Sequence, residues 1–208
     1  MATATASPSS LPRTRREQQR LETRDQLFEL AIDEFRRVGT AKARIRDIVE
    51  AAGVVPGTFY FHFPTKDHVV FELWRRNSQQ LVERLPRLDG PRPPSVTDYL
   101  HALCDAMIEI ELEVDNIDLV RDSIAMVLRP PEDADLTASG VDDAIITLLR
   151  GALERGEIAS ELEPAGLARV LLTSILGAQM AAPTEAADRQ RELRRTVDFF
   201  LRALRPVS

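Results

Sequence analysis

Residues 45–66 read IRDIVEAAGVVPGTFYFHFPTK, and the fold follows from this stretch. Two helix-sized segments, 45–52 and 56–63, flank Gly53-Val54-Val55, a link too short to do anything but turn a corner. That spacing outlines a helix-turn-helix. Gly53 suits the left-handed position that ends the first segment, and Pro56 suits the first turn of the second, where it has no N–H to lose. Each segment has one stripe to bury: Ile45, Ile48, Val49 and Ala52 on the first, Phe59 and Phe63, four apart, on the second. Gly57, Thr58, Tyr60, Phe61 and His62 are left facing outward, with Lys66 opening the next helix. These are residues that can lie against nucleic acid.

Upstream, Leu27, Leu30, Ala31, Phe35 and Val38 recur at helical spacing until Gly39 stops them. Residues 1–12 are rich in Ala, Thr, Ser and Pro and read as a disordered arm. Arg13, Arg15, Arg16 and Arg20 then lead into the helix, either as a groove-binding arm or as a solvated basic stretch. The three-helix head is thus expected over residues 13–66.

Downstream, Thr65 is the expected N-cap of a connecting helix over 67–85, with Asp67 in its first turn and Val70, Leu73, Trp74, Asn77 and Leu81 on one face. Pro86, Pro91, Pro93 and Pro94 make residues 86–94 a stiff linker. In the body, residues 95–208, Ser95 with Asp98 caps a fifth helix whose Leu100, Leu103, Cys104, Met107, Ile108 and Glu111 share a broad face. A sixth helix over 116–128 is halted by Pro130-Pro131. Ser139 with Asp142 caps a seventh, which Gly156 closes; Pro164 opens an eighth; Thr184 caps a ninth bearing Leu193, Val197, Phe200, Leu201 and Leu204. There is no strand alternation and no internal repeat, so the fold class is all-α with nine helices.

The net charge of −6 hides an asymmetry. Residues 1–66 hold eleven Lys/Arg against eight Asp/Glu, a net of +3, and residues 67–208 hold sixteen against twenty-five, a net of −9. A basic head on an acidic body suits a DNA-binding domain carried by a body that does not stick to DNA. Arginine supplies 25 of the 27 cations, a bias consistent with GC-rich coding, so scarcity alone does not single out Lys66. The single cysteine, Cys104, allows no internal disulfide and fits a reducing compartment. No secretory signal is visible, and the most apolar run, 170–182, is too short and too interrupted to span a bilayer, so a cytoplasmic protein is expected. His62, His68 and His101 are dispersed, and no metal-ligand spacing, phosphate-cradling glycine loop or nucleophile elbow occurs. No catalytic residue, metal or cofactor is expected.

The run Gly53, Gly57-Thr58, Tyr60, His62-Phe63 and Lys66 resembles the TetR family of bacterial transcriptional repressors. The likeness extends upstream through Phe28, Ala31, Phe35 and Gly39, about a quarter of the chain. The resemblance implies a nine-helix TetR-like architecture with a helix-turn-helix head and a ligand-binding and dimerisation body. It also implies a ligand-responsive, sequence-specific regulator of double-stranded DNA, a homodimeric repressor released from a palindromic operator by a small molecule. Tyr60 would contact phosphate, as would Lys66 at a helix N-terminus. Arg46 would fork onto guanine, Arg44 could take a phosphate, and Pro56, Gly57 and Thr58 would lie close to the groove. His62 either touches DNA or plugs the helix pair.

By the same resemblance the eighth and ninth helices form a dimer face of Leu167, Val170, Leu171, Ser174, Ala178, Ala181, Leu201 and Leu204; an intramolecular core is the competing use of that stripe. The effector pocket would be lined by Trp74, Tyr99, Leu103, Met107, Met126, Leu149, Leu176 and Met180, with Arg121, Asp122 or Gln179 as polar anchors. The acidic run Glu109, Glu111, Glu113, Asp115 and Asp118 reads as a solvated face. Two departures stand out: Ala43-Arg44 and Val55 occupy positions where the family usually has capping hydroxyls. Each loss costs about 0.5–2 kcal/mol if nothing replaces the cap. These departures support the alternative, a helical ligand carrier or partner-binding adaptor that has lost operator-specific binding.

Overall fold

In a computed structural model of the protein, residues 14–132 and 140–206 are described. They form nine helices and, among the described residues, no strand. The backbone divides into two compact units, one ending at Pro64 and the other beginning at Thr65.

The first unit holds α1 (Arg15–Val38), α2 (Ile45–Ala52) and α3 (Pro56–His62). The basic residues Arg15, Arg16 and Arg20 belong to α1 itself, whereas Arg13 and the arm over 1–12 lie outside the described residues. Thr14 starts α1 with a reciprocal cap: the Glu17 N–H donates to Thr14 Oγ1 at 3.3 Å, and the Thr14 N–H donates to Glu17 Oε2 at 2.7 Å. Leu27, Phe28, Ala31, Ile32 and Phe35 are its buried stripe. Leu30, expected inside, stays half-exposed, and Ile32 takes the buried place. α2 packs on α1 and on α3, and Ile48, Val49, Phe59 and Phe63 complete this core.

The turn between α2 and α3 rests on Gly53, at φ 67° and ψ 29°. Its N–H donates to the Glu50 carbonyl at 3.2 Å, and the Val54 N–H reaches back to the Val49 carbonyl at 3.0 Å. Two otherwise orphaned carbonyls of α2 are satisfied in this left-handed geometry, which a side chain at position 53 would strain. At the N-cap positions Arg44 and Val55 no side chain bonds the helix start, so the two missing hydroxyls are not replaced there.

The second unit holds α4 (Lys66–Arg84), α5 (Val96–Val114), α6 (Ile117–Leu128), α7 (Val141–Glu154), α8 (Pro164–Ala181) and α9 (Ala186–Ala203). Caps explain several of these boundaries. Ser95 accepts from the Asp98 N–H at 3.1 Å, and Asn116 accepts from the Leu119 N–H at 2.9 Å. Three expected caps differ. Thr65 sits at the N-cap of α4, but its hydroxyl meets His68 Nδ1 at 2.9 Å instead of a backbone N–H. Ser139 lies outside the described residues, and Gly140, at φ 73°, is the N-cap of α7. Glu185, not Thr184, is the N-cap of α9; the Thr184 carbonyl instead accepts from Arg189.

The body core is formed chiefly by α5, α7, α8 and α9, with Leu100, Leu103, Cys104, Ile145, Leu148, Leu149, Leu167, Leu171, Leu193 and Val197 among its buried residues. Burial pushes the Cys104 thiol up to about 12, so it behaves as a small apolar filler. No helix among the described residues is long and apolar enough to cross a membrane.

The acidic run is a solvated face at Glu109, Glu113, Asp115 and Asp118, and Glu111 alone among them departs from that expectation. Glu109 and Glu113 do lie outside, where Glu113 takes two hydrogen bonds from Arg84 Nη2 at 2.9 and 2.7 Å. Glu111 points inward. Its side chain is 4% exposed and pairs with Arg189, itself 6% exposed, at 2.7 Å between Oε2 and Nε. The second oxygen, Oε1, accepts from Gln179 Nε2 at 2.7 Å. Through these short contacts two buried charges form a strut from α5 to α8 and α9.

Candidate functional site

On the head, α3 is too short to bury more than one stripe. Phe59 takes that stripe, and Phe63 continues it just past the helix, their rings 5.9 Å apart. The Arg24 guanidinium stands 4.7 Å from the centre of the Phe63 ring, closing the core with a cation–π contact. Everything else on α3 is turned out by default. Pro56 and Gly57 are exposed, Tyr60 is 53% exposed and Phe61 is 69% exposed, while Thr58 and His62 are half-buried. Arg44 and Arg46 are exposed at the start of α2.

Packing does not explain the glycine at 57: a Cβ there would meet nothing within 4 Å. Burial, then the charges of Arg24 and Arg20, hold the His62 imidazole below its ordinary value. His62 is therefore neutral at pH 7 and offers hydrogen bonding without a cation. Phe61 is outward, as the helical pattern places it; its ring stands edge-on to His62 at 5.0 Å and it is the most exposed aromatic of α3. An aromatic that far into solvent beside Tyr60 is available for apolar contact with a base edge or sugar. Lys66 is the first residue of α4, in the second unit, where its charge stands at a helix N-terminus.

The second unit encloses a cavity of about 160 Å³. Of the expected lining, Trp74, Leu103, Met107, Leu176 and Gln179 are in place. Six residues are not. Tyr99 and Leu149 are sealed into the core, Met180 turns out and is 38% exposed, and Met126 sits half-buried on a face of α6 that does not meet the cavity. Arg121 also turns away, donating from Nη2 to the Ala182 carbonyl at 2.9 Å; its neighbour Asp122 does not line the cavity either. The wall is completed by Asn77, Ser78 and Leu81 of α4, Ile110 and Glu111 of α5, and Val120, Ser123, Ile124 and Val127 of α6. Val141 and Asp142 of α7, with Leu172 and Ile175 of α8, close it. Helical spacing reveals inward faces, but which inward residue meets a void instead of another side chain is a tertiary property.

The expected dimer stripe divides in two. Leu167 and Leu171 are buried in the body core, and Ala178, Leu201 and Leu204 pack partly against it. Val170, Ser174 and Ala181 are exposed, and Gly177 joins them on the same face of α8. The Ser174 hydroxyl donates to the Val170 carbonyl at 2.7 Å, which lowers the polarity of that face. On α9, Phe199 is 76% exposed and was missed because Phe200, one residue on, fits the inward period.

The first unit thus has the three helices of a helix-turn-helix head, and the second has six helices. Residues 27–73 match the family described as "Bacterial regulatory proteins, tetR family". It is 41% identical over 54 residues to a probable acrEF/envCD operon repressor of Escherichia coli, a match covering 26% of this chain and 24% of that relative. The sequence likeness therefore concerns the head. The whole fold is shared with Thermus thermophilus FadR, described as a transcriptional repressor in complex with lauroyl-CoA, at a TM-score of 0.69 and 21% identity over 89% of this chain and 96% of that one. It is shared also with SmeT, the repressor of a Stenotrophomonas maltophilia multidrug efflux pump, at 0.61 and 24% identity over 87% and 89%.

Proposed function

We propose that the protein is a homodimeric, sequence-specific DNA-binding repressor, cytoplasmic, and released from a palindromic operator by a small molecule bound in the body. The observation that carries this reading is the outer face of α3. An exposed Tyr60 and Phe61 stand beside a glycine that no internal packing requires. Arg44 and Arg46 are the cations nearest to it in sequence on α2, and Lys66 follows at the start of α4. One short helix reads few bases, so a two-fold pair addressing half-sites about 34–36 Å apart gives adequate specificity. The effector acts by binding the form that does not fit the operator better than the form that does, each tenfold preference supplying about 1.4 kcal/mol.

A gel shift with the DNA upstream of the protein's own gene tests the reading. The native protein is expected to prefer one palindrome over scrambled DNA at physiological salt. Tyr60→Phe removes a hydrogen bond to a charged phosphate and costs about 1.5–3 kcal/mol, whereas Lys66→Ala weakens all sequences alike. Sequence-independent binding by the native protein overturns it and favours the carrier or adaptor reading, which the uncapped starts of α2 and α3 support.

The dimer face is read as Val170, Ser174, Gly177 and Ala181 of α8 with Phe199 of α9, the small residues permitting close helix approach. Phe199→Asp is expected to raise the dimer dissociation constant at least about thirtyfold, the loss of one aromatic anchor of about 2 kcal/mol. Sedimentation velocity at micromolar concentration reads this directly; an unchanged dimer places the interface elsewhere.

A further inference from the structure

We propose that the effector is a compact lipophilic amine and that the cavity rejects anionic lipophiles. The inference rests on reading the body as the effector-binding unit, and it deepens that reading. Its first support is size: a cavity of about 160 Å³ is close to those that take a single aromatic ring. Trp74, Leu103, Met107 and Leu176 give it an apolar wall with one aromatic face.

Its second support is charge. Among the described residues the lining contains two acids, Glu111 and Asp142, and no Lys, Arg or His. Glu111 is paired with Arg189, which does not line the cavity, and the exposed Asp142 brings the remaining negative charge to the rim. A carboxylate only accepts, so the Glu111 bond fixes the Gln179 amide with Nε2 toward Glu111 and engages one of its two N–H donors. An incoming ammonium finds acceptors and, at Asp142, an opposite charge; an incoming carboxylate finds a like charge there and, among the described lining, only neutral donors such as Asn77, Ser78 and Gln179.

A matched series of phenethylamine, phenethyl alcohol and phenylacetate, titrated into the full chain by calorimetry, separates the possibilities. The amine is expected to bind once per chain and at least about tenfold tighter than phenylacetate, with the alcohol between them. Leu176→Trp, which fills the cavity, should abolish all binding. Asp142→Asn, at the exposed start of α7, should cut amine affinity by about three- to tenfold and leave the alcohol unchanged. The proposal is overturned if phenylacetate matches the amine, if the amine does not bind at millimolar concentration, or if Asp142→Asn leaves amine affinity intact. These outcomes are read without DNA, so a failed gel shift removes the regulatory reading and leaves the charge preference standing.

Discussion

Glu111→Ala is expected to lower the unfolding free energy by about 3–5 kcal/mol, the cost of stranding a buried guanidinium. Arg189 is held by Glu111 Oε2 through Nε and by the Thr184 carbonyl through Nη1. Deleting the carboxylate leaves the cation desolvated with a single neutral acceptor and leaves Gln179 Nε2 without its partner. For a chain of this size the midpoint should fall by about 2–4 °C per kcal/mol, roughly 6–20 °C in all, readable by far-ultraviolet circular dichroism. The sign reverses when both partners go. Glu111→Leu combined with Arg189→Met removes both charges at similar volume and is expected to be neutral or stabilising by about 1–4 kcal/mol. A single-mutant loss under about 1 kcal/mol would mean that the pair is solvated like an ordinary surface bridge.

That strut also marks where sequence reading stops. The head was legible nearly to the residue because its determinants are local: Gly53 and Pro56 bracket the turn, and Phe59 and Phe63 leave only one way to orient α3. The cap of α1 is equally local, in the Thr14-to-Glu17 spacing. Glu111 could not have been read so easily. It sits among carboxylates on α5, two of which bind Arg84 outside, and its partner is 78 residues further along the chain.

The body shows the same limit in apolar form. α8 carries hydrophobic residues on more than one face, so period alone assigns Leu167 and Leu171 to a dimer stripe as readily as to the core that buries them. Tyr99 and Leu149 share helical faces with true cavity residues and differ only in meeting side chains where Leu103 and Met107 meet space. Phe199 and Phe200 are indistinguishable by composition, and one residue of rotation on α9 exposes the first and buries the second.

On the proposed reading, operator affinity is expected to fall by about 10³–10⁵ between 50 and 200 mM salt, because a homodimer would neutralise roughly 6–10 phosphates with Lys and Arg, each releasing a counterion. Arg44, Tyr60 and Lys66 supply the contacts proposed for each protomer, and the exposed Arg15, Arg16 and Arg20 at the start of α1 are available to extend them. Tyrosine positions a phosphate without releasing a counterion in its own right, and His62, held neutral by burial and by the Arg24 and Arg20 charges, adds none at pH 7. The slope therefore belongs to the arginines and to Lys66. Lys66→Ala should reduce its magnitude by about one per contact removed while leaving the ranking of operator sequences intact. Arg46→Ala should do the reverse at the base it forks onto, relaxing specificity at that position at a cost of about 1–3 kcal/mol. Fluorescence anisotropy over a salt series with the palindrome and a scrambled duplex distinguishes the two. A slope that Lys66→Ala leaves untouched would remove that lysine from the phosphate contacts, and specificity that survives Arg46→Ala would pass base reading to α3, where Phe61 and Thr58 are the side chains left to perform it.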